Sequence, residues 1–64
     1  MTNSDLLFYQ SCGKPLDLTH QCMVENGIEY NEIFTIKEII GAFEQVEIIN
    51  QYGQKYIINS NQIF

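Results

Sequence analysis

The chain has 64 residues, 45% of them hydrophobic, and its formal net charge is −5 at pH 7. This length predicts one domain, residues 1–64, that buries only about 60% of its unfolded surface. The composition argues against intrinsic disorder, and no apolar run reaches the roughly 20 residues of a transmembrane helix. The amino terminus lacks a basic segment followed by an apolar one, so we expect no signal peptide and a cytoplasmic protein.

The negative charge is concentrated in the middle third of the chain. Six glutamates lie there against a single lysine, Lys37, and they are Glu25, Glu29, Glu32, Glu38, Glu44 and Glu47. A field of this sign repels nucleic acid and anionic lipid and attracts basic protein surfaces. We therefore expect no direct binding to nucleic acid and none to a membrane.

The first predicted element is a helix over residues 3–12. Asn3 or Ser4 can accept a hydrogen bond from the first turn as the cap. Gly13 supplies a left-handed stop, and Pro15 prevents the helix from continuing.

The second predicted element is a hairpin. From residue 16 to residue 24 the apolar positions alternate with a period of two, which indicates a strand. Asn26 and Gly27 follow, and this pair is typical of a tight hairpin turn because both residues tolerate positive φ. Residues 28–34 would then continue the buried face as the second strand.

The third predicted element is a short helix near residues 36–44. Thr35 and Glu38 match a capping box, and four apolar residues follow at helical spacing: Ile36, Ile39, Ile40 and Phe43. Gly41 disfavours a helix by about 1 kcal/mol relative to alanine. The alternative is an irregular connection between two strands.

The last predicted element is a second hairpin, with strands at residues 46–50 and 55–59 around a turn that contains Gly53. Ile63 and Phe64 are expected to pair at an edge or to tuck under the sheet. The whole pattern predicts an α+β fold with an N-terminal helix, a short helix near residues 36–44, and a small twisted antiparallel sheet of four or five strands that approaches an Sm/SH3-like barrel.

The acidic residues favour recognition over catalysis. They alternate with apolar positions, which places them in solvent, whereas a catalytic carboxyl pair needs one member perturbed by burial. Two tyrosines lie close to them in sequence, and tyrosine is enriched at protein interfaces. The predicted partner-binding residues are Glu25, Glu29, Tyr30, Glu32, Glu44, Glu47 and Tyr52.

Cys12, His20 and Cys22 form the main alternative site, as metal ligands or as a Cys–His nucleophile pair. Zinc needs four ligands, usually as two close pairs, and the chain has one histidine and no Cys-x-x-Cys. Cys12 would lie at the end of its helix that does not activate a thiol. We expect reduced thiols, no metal, no cofactor and no enzymatic activity, with a metal-stabilised module as the third and weakest alternative.

Several spacings together resemble the Rof-type inhibitors of the termination factor Rho, which are Sm-like small barrels. They are the nine residues between Cys12 and Cys22, the Glu25-Asn26-Gly27 turn, and Gly53 ten residues before Ile63. The resemblance implies a barrel fold and a non-catalytic inhibitor. The acidic residues that follow the first cysteine in that family are replaced here by Gly13, Lys14 and Pro15, so no Rho-contacting residue carries over.

The sequence therefore predicts a non-catalytic acidic regulator or inhibitor. Its partner would be a nucleic-acid-handling protein, whose basic groove the carboxylates would occupy in place of phosphates. The bias toward Asn, Gln, Ile and Tyr suggests an AT-rich genome, and the small size would suit a phage or mobile-element product. The alternative is a self-associating module, a homodimer rather than a monomer, that uses Ile49, Ile57 and Phe64.

Overall fold

Two helices precede a three-stranded antiparallel sheet in the computed structural model, which describes all 64 residues. In chain order the elements are α1 (Asn3–Cys12), α2 (His20–Asn26), β1 (Phe34–Ile40), β2 (Gln45–Asn50) and β3 (Lys55–Asn59), followed by a 3-10 turn at Ser60–Gln62. The strand order is β1-β2-β3. The α+β class is confirmed. The sheet is open and has three strands, so the prediction of four or five strands approaching a barrel is wrong.

Helix α1 has the predicted bounds but a different cap. The Asp5 N–H donates to the Thr2 hydroxyl and the Thr2 N–H donates to the Asp5 carboxylate, each over 3.1 Å, and together they form a capping box. The bond from the Thr2 backbone lowers the pKa of Asp5. Gly13 ends the helix with φ at 66°, as predicted.

Helix α2 replaces the predicted first hairpin. The Thr19 hydroxyl accepts from the Cys22 N–H over 3.2 Å and caps a seven-residue helix that ends at Gly27, whose φ is 66°. Gly27 thus takes positive φ as a helix C-cap instead of a hairpin turn, and both structures need the same backbone conformation. Only Leu18 of the predicted strand pairs, in one antiparallel bridge to Ile63.

Strand β1 replaces the predicted helix near residues 36–44. The pairing with β2 shifts between Ile36 and Glu38, which makes Lys37 an extra residue in a β-bulge. Ile36 and Ile39 therefore face the same side of the sheet at a spacing of three, which imitates helical periodicity. Residues 41–44 form the turn to β2, a strand connection as in the alternative interpretation.

The second hairpin is confirmed, since β2 and β3 pair in register from Gln45 opposite Asn59 to Ile49 opposite Lys55. One face of the sheet lies against the helices around ten buried apolar residues: Leu6, Leu16, Cys22, Ile28, Phe34, Ile36, Val46, Ile48, Ile58 and Ile63. Ile63 is buried as expected, but Phe64 is 74% exposed. None of the helices has the length and apolarity to cross a membrane.

The β1–β2 turn contains three consecutive left-handed residues. Gly41, Ala42 and Phe43 have φ values of 60°, 53° and 72°, and Ala42 is exposed. The left-handed conformation costs a non-glycine residue roughly 1–2 kcal/mol, which is more than the entropy that glycine loses on folding.

We expect Ala42→Gly to raise the free energy of unfolding by about 0.5–1 kcal/mol, because it removes this backbone strain without removing a buried side chain. Urea denaturation measures the change. Ala42→Val is the matched control and should lower the stability, since a β-branched residue tolerates positive φ poorly. A glycine variant less stable than the parent would contradict this backbone conformation.

Candidate partner-binding surface

Two loops meet at the end of the sheet where β2 finishes. One connects α2 to β1 and contains Glu29, Tyr30, Asn31 and Glu32, and the other is the β2–β3 turn, which contains Gln51 and Tyr52. We call these six residues the loop surface. Asn50, the last residue of β2, lies beneath them.

Asn50 is the only buried polar residue of the chain, with 6% of its surface exposed. Its amide nitrogen donates to Glu32 Oε1 over 2.7 Å and to Gln54 Oε1 over 2.9 Å. Its amide oxygen accepts from the N–H groups of Tyr52 (3.0 Å) and Gln54 (2.9 Å). These four bonds use both donors and both acceptor lone pairs of the side chain. The amide therefore holds the turn and the Glu32 carboxylate in one arrangement.

Further hydrogen bonds tie the α2–β1 loop in place. The second oxygen of Glu32 accepts from the Glu29 N–H over 2.6 Å. Gln51 reaches across from the other loop, where it accepts from the Ile33 N–H over 2.7 Å and donates to the Asn31 carbonyl over 3.1 Å. The two loops thus form one supported surface, although neither contains a helix or a strand.

Both tyrosines among the predicted partner-binding residues lie on this surface with their rings in solvent. Tyr30 is 82% exposed and Tyr52 is 68% exposed. The Tyr30 hydroxyl is hydrogen-bonded to His20 Nδ1 over 3.0 Å, and the two rings stack at a centroid distance of 6.4 Å. His20 therefore fixes the direction of the more exposed tyrosine, a role that its lone position in the sequence does not indicate.

The structure brings together four of the seven predicted binding residues, Glu29, Tyr30, Glu32 and Tyr52, and places the other three elsewhere. Glu25 lies on α2, where its carboxylate accepts from Gln21 and Gln62 over 3.0 and 3.3 Å. Glu44 lies in the β1–β2 turn, at the other end of β2 from Asn50 and separated from it by about 20 Å of extended chain.

Glu47 lies on the face of the sheet that the helices leave uncovered. It pairs with Glu38 on β1, and Ile57 is its neighbour on β3. The Lys37 and Lys55 ammonium groups also lie here, and the proximity of Lys55 lowers the pKa of Lys37, against the attraction of Glu47 and Glu38. These lysines offset the two glutamates locally, so the negative field on this face is weaker than the sequence suggests.

The two cysteines and His20 do not form a site together. Cys12 is exposed at the end of α1, Cys22 is fully buried in the core, and His20 is exposed on α2. The chain has no group of three or more His, Cys, Asp or Glu that could hold a metal ion. Burial raises the pKa of the Cys22 thiol, which is the opposite of what a nucleophile needs.

Comparisons with protein-family models, with curated proteins and with solved structures give no match.

The Asn50–Glu32 hydrogen bond gives a specific stability prediction. Asn50→Asp keeps the shape and the acceptor for Tyr52 and Gln54 but faces Glu32 with a second carboxylate at hydrogen-bond distance. We expect a loss of about 2–3 kcal/mol in the free energy of unfolding at pH 7, because a buried donor is replaced by a like charge.

A second change, Glu32→Gln, should recover part of that loss, since an amide at position 32 can donate to the carboxylate introduced at position 50. Urea denaturation of the four proteins in this double-mutant cycle gives the coupling energy. A double variant whose loss equals the sum of the single losses would show that the bond does not carry the loop arrangement.

The thiols should differ in reactivity because Cys12 is exposed and burial raises the pKa of Cys22. We expect one thiol to react with a disulfide reagent at pH 8 in the native protein, and the second to react only after urea unfolding. Cys12→Ser should abolish the reaction of the native protein and leave the reaction that follows urea unfolding. Two native thiols of equal reactivity would contradict the position of Cys22 in the core.

Proposed function

We propose that this protein is a non-catalytic regulator that binds a basic surface of another protein through its loop surface. Tyr30 and Tyr52, two largely exposed rings beside Glu29 and Glu32 on loops fastened by buried Asn50, are the observation that carries the proposal. Tyrosine presents a large contact area at low entropic cost, and a supported loop loses less freedom on binding than a mobile one.

The charge of the protein selects the class of partner. A net charge of −5 on 64 residues repels phosphates and attracts positively charged proteins. Nucleic-acid-handling proteins present basic grooves that bind phosphates, so the proposed regulator would occupy such a groove in place of the nucleic acid. Glu25, Glu44 and Glu47 would then act at a distance, by raising the association rate, while the loop surface makes the contacts.

Self-association is a second candidate, favoured by the uncovered sheet face. Ile57 is exposed and Ile49 is half-buried on that face. A third isoleucine, Ile40, lies on the same face opposite Gln45, and four charged residues lie among the isoleucines: Lys37, Glu38, Glu47 and Lys55. Phe64 follows the strands and lies beside the segment before α2, where its N–H donates to the Asp17 carbonyl over 2.9 Å.

The functional prediction compares two charge reversals that change the net charge equally. Glu29→Lys, on the loop surface, should weaken binding to the basic partner about tenfold or more, whereas Glu44→Lys, at the other end of β2, should weaken it only a few-fold. Tyr30→Ala should cost at least as much as Glu29→Lys, because central aromatic residues are common binding hot spots. Glu32 is a poor choice for this test, since its carboxylate also holds the loop.

The partner is obtained by affinity capture from the native cell extract at low salt and elution with a salt gradient. We expect a nucleic-acid-binding protein that elutes as the ionic strength rises, and we expect the 64-residue protein to displace its nucleic acid. Equal effects of Glu29→Lys and Glu44→Lys would contradict the loop surface as the contact. If the captured protein keeps its nucleic acid, the regulatory role is wrong. Sedimentation of the free protein checks self-association, since an apolar dimer persists in high salt.

A further inference from the structure

A pocket of about 210 Å³ opens beside Tyr30, between the segment before α2 and the start of β1. Polar atoms share its lining, but six of the eight lining residues are apolar or aromatic: Leu16, Leu18, Met23, Ile28, Tyr30 and Phe34. The volume is below the roughly 300 Å³ at which pockets begin to hold drug-sized ligands. It is therefore suited to a single large side chain rather than to a cofactor.

Two acidic residues complete the lining, Asp17 and Glu32. Asp17 is exposed and is anchored through its backbone, whose carbonyl accepts from the Phe64 N–H, so its carboxylate is available to a ligand. Glu32 accepts one hydrogen bond on each oxygen, from Asn50 and from Glu29, and a carboxylate has about four acceptor positions. Both acids can thus accept further bonds from an incoming donor.

The apolar residues and the negatively charged acceptors of the pocket together determine which side chain can occupy it. Lysine and arginine bury an aliphatic stem along apolar surface and keep a cationic head at the polar end. The Tyr30 ring adds an aromatic face, which attracts such a head. A neutral apolar side chain would offer no donor to either carboxylate, and an acidic one would be repelled by them.

We propose that this pocket receives one lysine or arginine side chain of the partner protein, with the stem between the apolar walls and the cationic group at Asp17 and Glu32. The inference rests on the proposed function and specifies it, since it adds to the loop surface a pocket for one particular residue of the partner. Asp17 becomes a binding residue that no sequence pattern singles out.

The experiment titrates the isotope-labelled full chain with capped pentapeptides, Gly-Gly-X-Gly-Gly, and follows the backbone amides by NMR. X is arginine, lysine, citrulline or norleucine. We expect millimolar binding of the arginine peptide, the lysine peptide or both, with the largest shifts at residues 16–18, 23 and 28–34. Citrulline and norleucine, which keep the length without the charge, should bind at least threefold more weakly. The ratio of arginine to lysine affinity identifies the preferred head group.

Matched variants locate the binding. Asp17→Asn should weaken the cationic peptide three- to fivefold, as expected for one partly exposed ion pair, while Glu44→Gln, with the same charge change, should leave it within about twofold. Met23→Phe places bulk in the pocket and should also weaken it, whereas Val24→Phe adds the same ring at the neighbouring exposed position. Equal binding of norleucine and lysine, shifts confined to other surfaces, or no shifts at all would overturn the proposal.

A second probe separates this inference from the proposed function. It is a peptide of eight lysines alternating with glycines, whose binding should depend on Glu29 and Tyr30. If that peptide binds through Glu29 while Asp17→Asn and Met23→Phe change nothing, the pocket assignment is wrong and the loop surface stands. If the pentapeptides map to the pocket while Glu29→Lys leaves the longer peptide unaffected, the pocket stands and the loop surface is wrong.

Discussion

The hydrogen bonds of Asn50 are the constraint on which the rest of this structure depends. A chain of 64 residues has a small core and a stability margin of only a few kcal/mol, so a buried amide is tolerated only when all its bonds are made. Here they are made, by Glu32, Gln54 and the backbone of the β2–β3 turn. The same four bonds join a loop of the helical half to the sheet. Burial of one polar side chain thus fixes the surface that we propose as the binding site.

The parts of the fold that the sequence predicts are those specified by local chemistry. Helix α1 and the β2–β3 hairpin each have their own stop or turn residue, Gly13 and Gly53, and each matches a single periodicity. The errors arise where one pattern fits two structures. Asn26-Gly27 supplies positive φ to a hairpin or to a helix end, and the choice is made by the Thr19 cap seven residues earlier. The bulge at Lys37 shifts two isoleucines of a strand to a helical spacing.

The candidate site also has a part that the sequence predicts and a part that it does not. Exposed acids and tyrosines can be read from the sequence, and four of the seven predicted residues do meet on the loop surface. Their separation from Glu25, Glu44 and Glu47 could not be predicted, because residues 20–26 form a helix and residues 34–40 form a bulged strand, where the patterns predict a strand and a helix. The sequence contains one indication of the role of Asn50, because this amide directly follows a run of strand-forming residues. Nothing in the sequence indicates its partners, which lie 18 residues before it and four residues after it.

Glu32 has two roles, one in the proposed recognition of a partner and one in the stability of the loops. Its carboxylate belongs to the negative surface that would attract a partner, and it is also the acceptor that keeps Asn50 and the Glu29 backbone satisfied. A group that is already bonded on both oxygens has its position fixed before binding, so a cation that reaches it meets an acceptor that needs little reorganisation. The same bonds also stabilise the negative charge of its carboxylate within the protein. In this chain recognition and stability therefore share one residue, whereas Glu29, Tyr30 and Tyr52 expose side chains that the fold does not need. Any partner that binds here would contact both kinds of residue, and only the second kind can change without loosening the loops.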